Sequence, residues 1–319
     1  MKRKNGPRIT AAICTYDRYP LLAEAIDSLV EQSLRLDQFR ILVVDNSPDA
    51  ERARAAARAL KGIPNLDYVI EKNPGLANAR NVAVRRCGTD LIAFMDDDAV
   101  ADRKWLAEIV TAFDAFGAAV VGGRVDPTWA APRPSWLDDG LLGHLSLIDW
   151  GGRTRIAKPE EWFAGTNVAF RAQAIRDRGG FSTNLGRVGS NSALLGNEEV
   201  QLIERIRRAG GQRVYAPKAF VHHRVEAERL TRTWFRKRAA WQAVSDFTMD
   251  SARFMPMGSK LWNDTLHYLN ALPPHERGMR GLLVDTDDPA LFRWQTSAIY
   301  MTTMLALMGF EGAGDEALR

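Results

Sequence analysis

From Arg8 to Val125 the chain alternates short β-prone runs with amphipathic helical runs, and few folds accept that pattern. "RITAAICT", "FRILVVDN", "LDYVIE", "DLIAFMDDD" and "AAVVGGRV" read as five strands. Four helical stretches separate them. The first opens at Pro20 and carries Leu22, Ala25, Ile26 and Leu29; the second is the Arg/Ala run "ERARAAARAL". The third is "GLANARNVAVRRCG", closed by Gly88, and the fourth runs from Trp105 to Phe116, stopped by Gly117. Such alternation implies an α/β fold with a mostly parallel, doubly wound sheet and helices on both faces. Ligands of these sheets bind beyond the carboxyl ends of the strands. That rule gathers "CTYDR", "DNS", "EKNPG" and "DDD" on one rim.

Asp96, Asp97 and Asp98 end an apolar run, where repulsion and lost hydration call for a compensating charge. On an extended backbone Asp96 and Asp98 share one face and Asp97 points the other way. Two converging carboxylates suit magnesium or manganese, with substrate phosphates completing the shell. The alternative is that Asp97 and Asp98 open the next helix and complement its dipole. His222 and His223 end "YAPKAFVHH", and one of them can complete a metal shell, since strand neighbours face opposite ways. His144, His267 and His275 read as structural hydrogen-bonding residues.

Asp45 closes "ILVVD" and can accept a hydrogen bond from a base edge or sugar hydroxyl, or belong to an ordinary turn. Arg80 lies about one and a half turns into a helix that starts at the rim, where a guanidinium can contact phosphate. Glu198 and Glu199 follow Asn197, a good N-cap residue, and open a helix. They either match the helix dipole or form a catalytic pair, in which partial desolvation raises one pKa toward neutrality for general-base work.

The segment "DPTWAAPRPSWLDDG" breaks the pattern and reads as an irregular loop or flap. Its Trp129 and Trp136 either close over a sugar or anchor the loop. Strand-like "WFAGTNVAFR", the helix "EEVQLIERIRRAGG" and "QRVYAPKAFVHH" follow. From about Leu230 the pattern is helical, so the chain divides into a domain at 1–228 and a helical region at 229–319. "LTRTWFRKRAAWQAVSDF" is basic and aromatic; it packs its apolar stripe on the catalytic domain or lies on an anionic membrane surface. Residues 295–310 carry the same two readings, or a homodimer contact.

With 46% hydrophobic and 26% charged residues and a net charge of +4, this is globular composition and not that of a dedicated nucleic-acid binder. Two cysteines give neither a disulfide framework nor a metal cluster, and fit a reducing cytoplasm. "MKRKNGPRIT" lacks the apolar core of a signal peptide, and Gln295 to Phe310 falls short of the ~20 residues a membrane span needs.

In order, these landmarks resemble glycosyltransferase family 2, inverting enzymes of the GT-A fold that use nucleotide sugars. "CTYDR" looks like the family's "TYNR", "VVDNS" like its second-strand Asp motif, and "NPGLANARN" like "N-x-G-x-x-x-ARN". "FMDDDAV" is similar to the metal-binding D-x-D, and "WFAGTNVAFR" to the acceptor-side "G-x-N-x-x-F-R". "GNEEVQLIERIRRAGG" followed by "QRVYAPKAFVHH" resembles "GEDxxLxxRLRxxGYxxxYxPxAxVxH". The likeness runs from Ile9 to His223, and its closest flavour is that of succinoglycan-type enzymes of bacterial polysaccharide assembly.

The resemblance implies a GT-A catalytic domain with a C-terminal helical extension. It implies that Thr15, Tyr16, Arg18, Asp45, Gly75, Arg80, Asp96 and Asp97 bind the nucleotide sugar, expected to be a uridine diphosphate sugar. Asp98, Asp96 and His223 would hold manganese or magnesium, His223 being selected over His222 by its distance from Pro217. Trp136, Gly165 and Asn167 would face the donor or acceptor sugar. The family's usual base is an aspartate aligned with Glu199; this chain has glutamate there, so the base is Glu199 or Glu198. The acceptor would be a hydroxyl of a glycan, a lipid-linked molecule or a small molecule, met in the cytoplasm or at its membrane face. The competing readings are a nucleotidyltransferase, disfavoured because "CTYDRYP" has no glycine, and a catalytically idle nucleotide- or glycan-binding relative.

Overall fold

The computed structural model describes residues 6–189, 193–271 and 281–316. The chain forms two compact units. The first comprises Met1–Thr128, Ser146–Asn191 and Glu198–Arg224; the second comprises Trp129–Leu145, Ser192–Asn197 and Val225–Arg319. The 129–145 segment therefore belongs with the C-terminal helices.

In the first unit, β1 (Ile9–Thr15), β2 (Phe39–Asp45), β3 (Leu66–Ile70) and β4 (Leu91–Asp96) form a parallel block in the order β3-β2-β1-β4. Helices α1 (Tyr19–Val30), α2 (Ala50–Ala59) and α3 (Leu76–Arg86) provide its crossovers. Pro20 lies in the first turn of α1. Gly88 is not the terminator of α3: the helix ends at Arg86, and Cys87 leaves it with extended backbone (φ −65°, ψ 111°). Helix α4 (Trp105–Phe116) does close on a left-handed glycine, Gly117 at φ 62°.

Beyond β4 the sheet changes sense. A short β5 (Ala99–Ala101) not anticipated from the pattern precedes α4. The fifth expected strand, β6 (Val120–Trp129), runs through "DPTW", so the irregular segment starts later than its composition suggests. After β7 (Arg155–Ile156), β8 (Asn167–Arg171) lies between β4 and β6 and is antiparallel to both. Helices α5 (Ala172–Arg176) and α6 (Glu198–Arg208) then lead to β9 (Arg213–Val225), antiparallel to β5 and β7.

Asn167 ties this junction together from the inside. Its amide donates to the carbonyls of Arg124 and Ala219, both at 2.8 Å, and its Oδ1 accepts Trp105 Nε1–H at 2.8 Å. Elsewhere in the core, Phe94 meets Phe170 and Phe181 edge-to-face at centroid distances of 6.2 and 5.4 Å. Each ring of that size contributes about 1.5–3 kcal/mol by burial.

The second unit is helical: α7 (Arg232–Met249), α8 (Ser251–Phe254), α9 (Gly258–Asn270) and α10 (Pro289–Glu316). Helix α7 turns Phe235, Ala239, Ala243 and Phe247 inward, where Ala243 and Phe247 join Met304 and Met308. These residues of the basic, aromatic helix thus pack against α10 within the helical unit. Trp136 is buried here too, edge-to-face with Phe292 at 4.8 Å and Phe235 at 5.5 Å, with Arg232 over its ring at 5.2 Å. Asn197 adopts a left-handed φ of 73°; its amide donates to Asp246 at 2.6 Å and its carbonyl oxygen accepts from Gln242 at 3.2 Å. His144 stands 6.2 Å from the Phe235 ring, its pKa pushed down to about 4 by burial and then by Arg238, while His267 is exposed. His275 lies outside the described residues. Among the described residues no helix is long and apolar enough to cross a membrane.

Candidate active site

Strand register brings the rim together. Thr15 pairs with Asp45 across β1 and β2, and Cys14 pairs with Asp96 across β1 and β4, so the ends of three strands coincide. Asp45 is fully buried and its oxygens are engaged. Oδ1 accepts from the Ser47 backbone N–H at 2.9 Å and from the Ser47 hydroxyl; Oδ2 accepts from Tyr68 at 2.5 Å and Tyr19 at 3.2 Å. Its expected openness to a base or ribose is therefore not seen, because two tyrosines cover it. Burial and the Asp45 charge push the Tyr68 hydroxyl pKa up. Neither tyrosine belongs to a sequence motif; the signal that points to one is register, since Tyr68 stands two residues before the strand partner of Asp45.

Beside it, Asn46 fixes the next loop by donating to the Glu71 and Asn73 carbonyls at 2.8 and 2.6 Å and accepting Gly75 N–H at 2.7 Å. Gly75 has φ 126°, a conformation that side chains disfavour, and starts α3 from there. Tyr16, next to Thr15 at the end of β1, is half-buried.

The three aspartates divide differently from the pleat alternation. β4 ends at Asp96, and Asp97 and Asp98 form the turn into β5, so a strand's facing rule does not reach them. Both are buried, and Arg18 forks across them: Nη2 to Asp97 Oδ1 at 2.8 Å, Nη1 to Asp98 Oδ2 at 2.6 Å. Asp97 Oδ2 also accepts from the Thr15 hydroxyl at 2.7 Å. Burial pushes the Asp97 pKa up to about 7, with Arg18 opposing and Asp98 adding to the shift. Asp96 is the open one, its side chain 33% exposed and its Oδ1 3.4 Å from Arg80 Nη2.

His223 reaches Asp98 because β9 pairs with β5 in a register that sets Ala99 opposite His223. Its Nε2 lies 3.4 Å from Asp98 Oδ1, whereas His222 faces outward against Phe220. Among the described residues no three acidic, histidine or cysteine side chains are grouped closely enough to hold a metal ion as they stand. The donor set nevertheless fits one: a carboxylate beside an imidazole whose Nδ1 is buried with no hydrogen-bond partner, and a second carboxylate, Asp96, on the open side.

Arg80 joins the aspartates to the glutamate pair. Its buried guanidinium donates to Glu198 Oε1 at 2.5 Å, lies 3.4 Å from Asp96 and 4.0 Å from Glu199 Oε2, and sits 5.8 Å from the centroids of Phe94 and Phe181. It is thus committed to carboxylates, not exposed for phosphate as its helix position suggested. The close approach depends on Gly165, where a Cβ would stand 2.3 Å from Arg80 Nη2. Glu199 is different from its neighbour: 14% exposed, it accepts Gly165 N–H at 3.1 Å. Burial and then the Glu198 charge raise its pKa to about 7, against the opposing pull of Arg80.

Two residues expected to face a sugar are turned into the protein interior. Asn167 is buried with its amide fully hydrogen-bonded inside the sheet, and Trp136 is buried among aromatic rings of the helical unit. Neither offers an open surface to a sugar. Gly165, by contrast, lies within the Arg80–Glu199 cluster.

The profile of Glycosyl transferase family 2 matches residues 10–179. The chain is 31% identical over 236 residues to succinoglycan biosynthesis protein ExoM of Rhizobium meliloti, covering 72% of this chain and 71% of that one. It is 26% identical over 251 residues to the glucosyl-dolichyl phosphate glucuronosyltransferase of Haloferax volcanii, covering 76% and 77%. Its fold is similar to that of the mannosyltransferase PcManGT from Pyrobaculum calidifontis, solved with GDP-Man and Mn2+ (TM-score 0.60, 18% identity, 97% of this chain and 88% of that one). With a GT-A fold, the ordered rim motifs and these relatives, the chain belongs to glycosyltransferase family 2 and is a glycosyltransferase.

Proposed function

We propose that this protein is a metal-dependent, inverting glycosyltransferase that moves a sugar from a nucleoside diphosphate sugar, with uridine as the expected base, to an acceptor hydroxyl. One observation carries the reading: a single buried guanidinium, Arg80, touches Asp96 on the donor side and Glu198 beside the proposed base. Donor-binding and proton-accepting groups are thereby held within one side chain's reach.

Glu199 is the base in this reading. It is the more open of the two glutamates, and a pKa of about 7 leaves a substantial ionised fraction at neutral pH while keeping proton affinity high. The acceptor hydroxyl gives its proton to Glu199 as its oxygen attacks the anomeric carbon from the face opposite the diphosphate. The bond from that carbon to the departing diphosphate oxygen breaks in the same step, so configuration inverts without a covalent enzyme intermediate. Glu198 keeps Arg80 in place, and Gly165 N–H orients the Glu199 carboxylate.

Asp98, His223 and Asp96 are the residues that would hold manganese or magnesium. Once bound, such a cation offsets negative charge on the leaving nucleoside diphosphate. Tyr16, Gly75 and the Asp45 neighbourhood would line the nucleotide side. A glycan or lipid-linked acceptor is supported by two relatives, one named for succinoglycan biosynthesis and one for a dolichyl phosphate substrate. The test is a panel of uridine, guanosine and thymidine diphosphate sugars with manganese, scored by calorimetric binding and slow donor hydrolysis. Binding of one donor with loss of turnover in Glu199→Gln supports the reading; no response to any donor overturns it.

A further inference from the structure

We propose that Arg18 is the resident counter-cation of Asp97 and Asp98, that a divalent cation binds by displacing it, and that the freed guanidinium turns to the donor's diphosphate. This rests on the glycosyltransferase reading above and concerns how that same site is loaded.

Asp98 is already engaged by Arg18 and His223, and that calls for an exchange. One guanidinium bridges the two buried carboxylates at 2.8 and 2.6 Å and makes their proximity tolerable. A divalent cation at Asp98 with Arg18 still in place sets two cations competing for one carboxylate, whose Oδ2 Arg18 holds and whose Oδ1 faces His223. Departure of Arg18 avoids this, and an arriving diphosphate provides the guanidinium with a bidentate anionic partner.

The local structure permits that exchange. The Arg18 side chain is 40% exposed, so its way out lies toward solvent. The backbone beside it is pinned: Asp17 sits at φ 58°, donates its N–H to Ser47 Oγ at 2.7 Å and pairs with Arg52 at 2.6 Å. Motion is therefore confined to the Arg18 side chain. Asp97 stays in place without it, held by the Thr15 hydroxyl at 2.7 Å, and Asp98 already faces His223 with its other oxygen.

The test uses the full chain and titrates Mn2+, following the electron paramagnetic resonance signal of the free ion, with and without UDP or GDP. Without nucleotide, Arg18→Gln binds Mn2+ about fivefold or more tighter than the unaltered protein, a gain of about 1 kcal/mol. Arg18→Lys, a point charge that cannot fork across both carboxylates, falls between them. Nucleotide tightens Mn2+ binding strongly in the unaltered protein and much less in Arg18→Gln. Thermal melting checks that the variants fold; if Arg18→Gln does not, Arg18→Lys alone decides by binding Mn2+ tighter or not. Equal or weaker Mn2+ binding by the folded variants, with nucleotide binding intact, overturns the Arg18 proposal alone. Failure of the unaltered protein to bind UDP or GDP at saturating Mn2+ overturns the donor reading instead, and with it the diphosphate half of this one.

Discussion

Arg80 Nη1 lies 2.5 Å from Glu198 Oε1, and both side chains are buried. Each ion is tolerable in that interior only because the other is there. Arg80→Leu leaves Glu198 as an uncompensated buried charge and lowers stability by about 3–5 kcal/mol, read as a loss of unfolding free energy in a denaturant titration.

Glu199→Gln keeps the shape and the contact to Gly165 N–H through its amide oxygen but cannot take a proton. Turnover falls by about 10²–10⁴-fold while donor affinity stays within a few-fold, measured by steady-state kinetics and calorimetry. Full activity in this variant removes Glu199 from the mechanism.

Ionised Glu199 is the active form, so kcat/KM rises with pH to a plateau as this raised pKa is passed in the neutral range. Stability has the opposite slope. The folded state holds this proton above the unfolded value of 4.5, so stability falls as pH climbs from 4.5 through about 7. A pH–rate profile and melts across that window check both signs, and Glu199→Gln flattens this contribution to stability.

Gly165→Ala drives a methyl group to 2.3 Å from Arg80 Nη2. The guanidinium has to move, breaking its alignment with Glu198 at a cost of about 1–3 kcal/mol, with a larger loss in kcat than in donor affinity.

Asn167→Ala orphans the carbonyls of Arg124 and Ala219 together with the Trp105 N–H. The expected loss is about 1–3 kcal/mol for each buried group left unpaired. Donor KM at a temperature where the variant is folded remains unchanged, which separates a structural role from sugar contact.

Local pattern was enough for much of this. Strand and helix periodicity located the parallel block and put Thr15, Asp45 and Asp96 at strand ends, because periodicity and burial are properties of neighbouring residues. The burial of Asn167 and Trp136 was not legible for the converse reason: an Asn or Trp looks the same in sequence whether its polar atoms and ring meet a ligand or the protein itself.

The residue order of this chain sufficed for its α/β class, its family and the carboxylates from which a site is built. Tertiary structure alone decided their partners. It set Arg18 across Asp97 and Asp98, covered Asp45 with Tyr19 and Tyr68, and set His223 beside Asp98 through the β5–β9 register. It also gave Glu198 to Arg80 and left Glu199 the more open of the two. Charge pairing inside a protein depends on distances between segments remote in sequence, and those distances exist only once the sheet has closed.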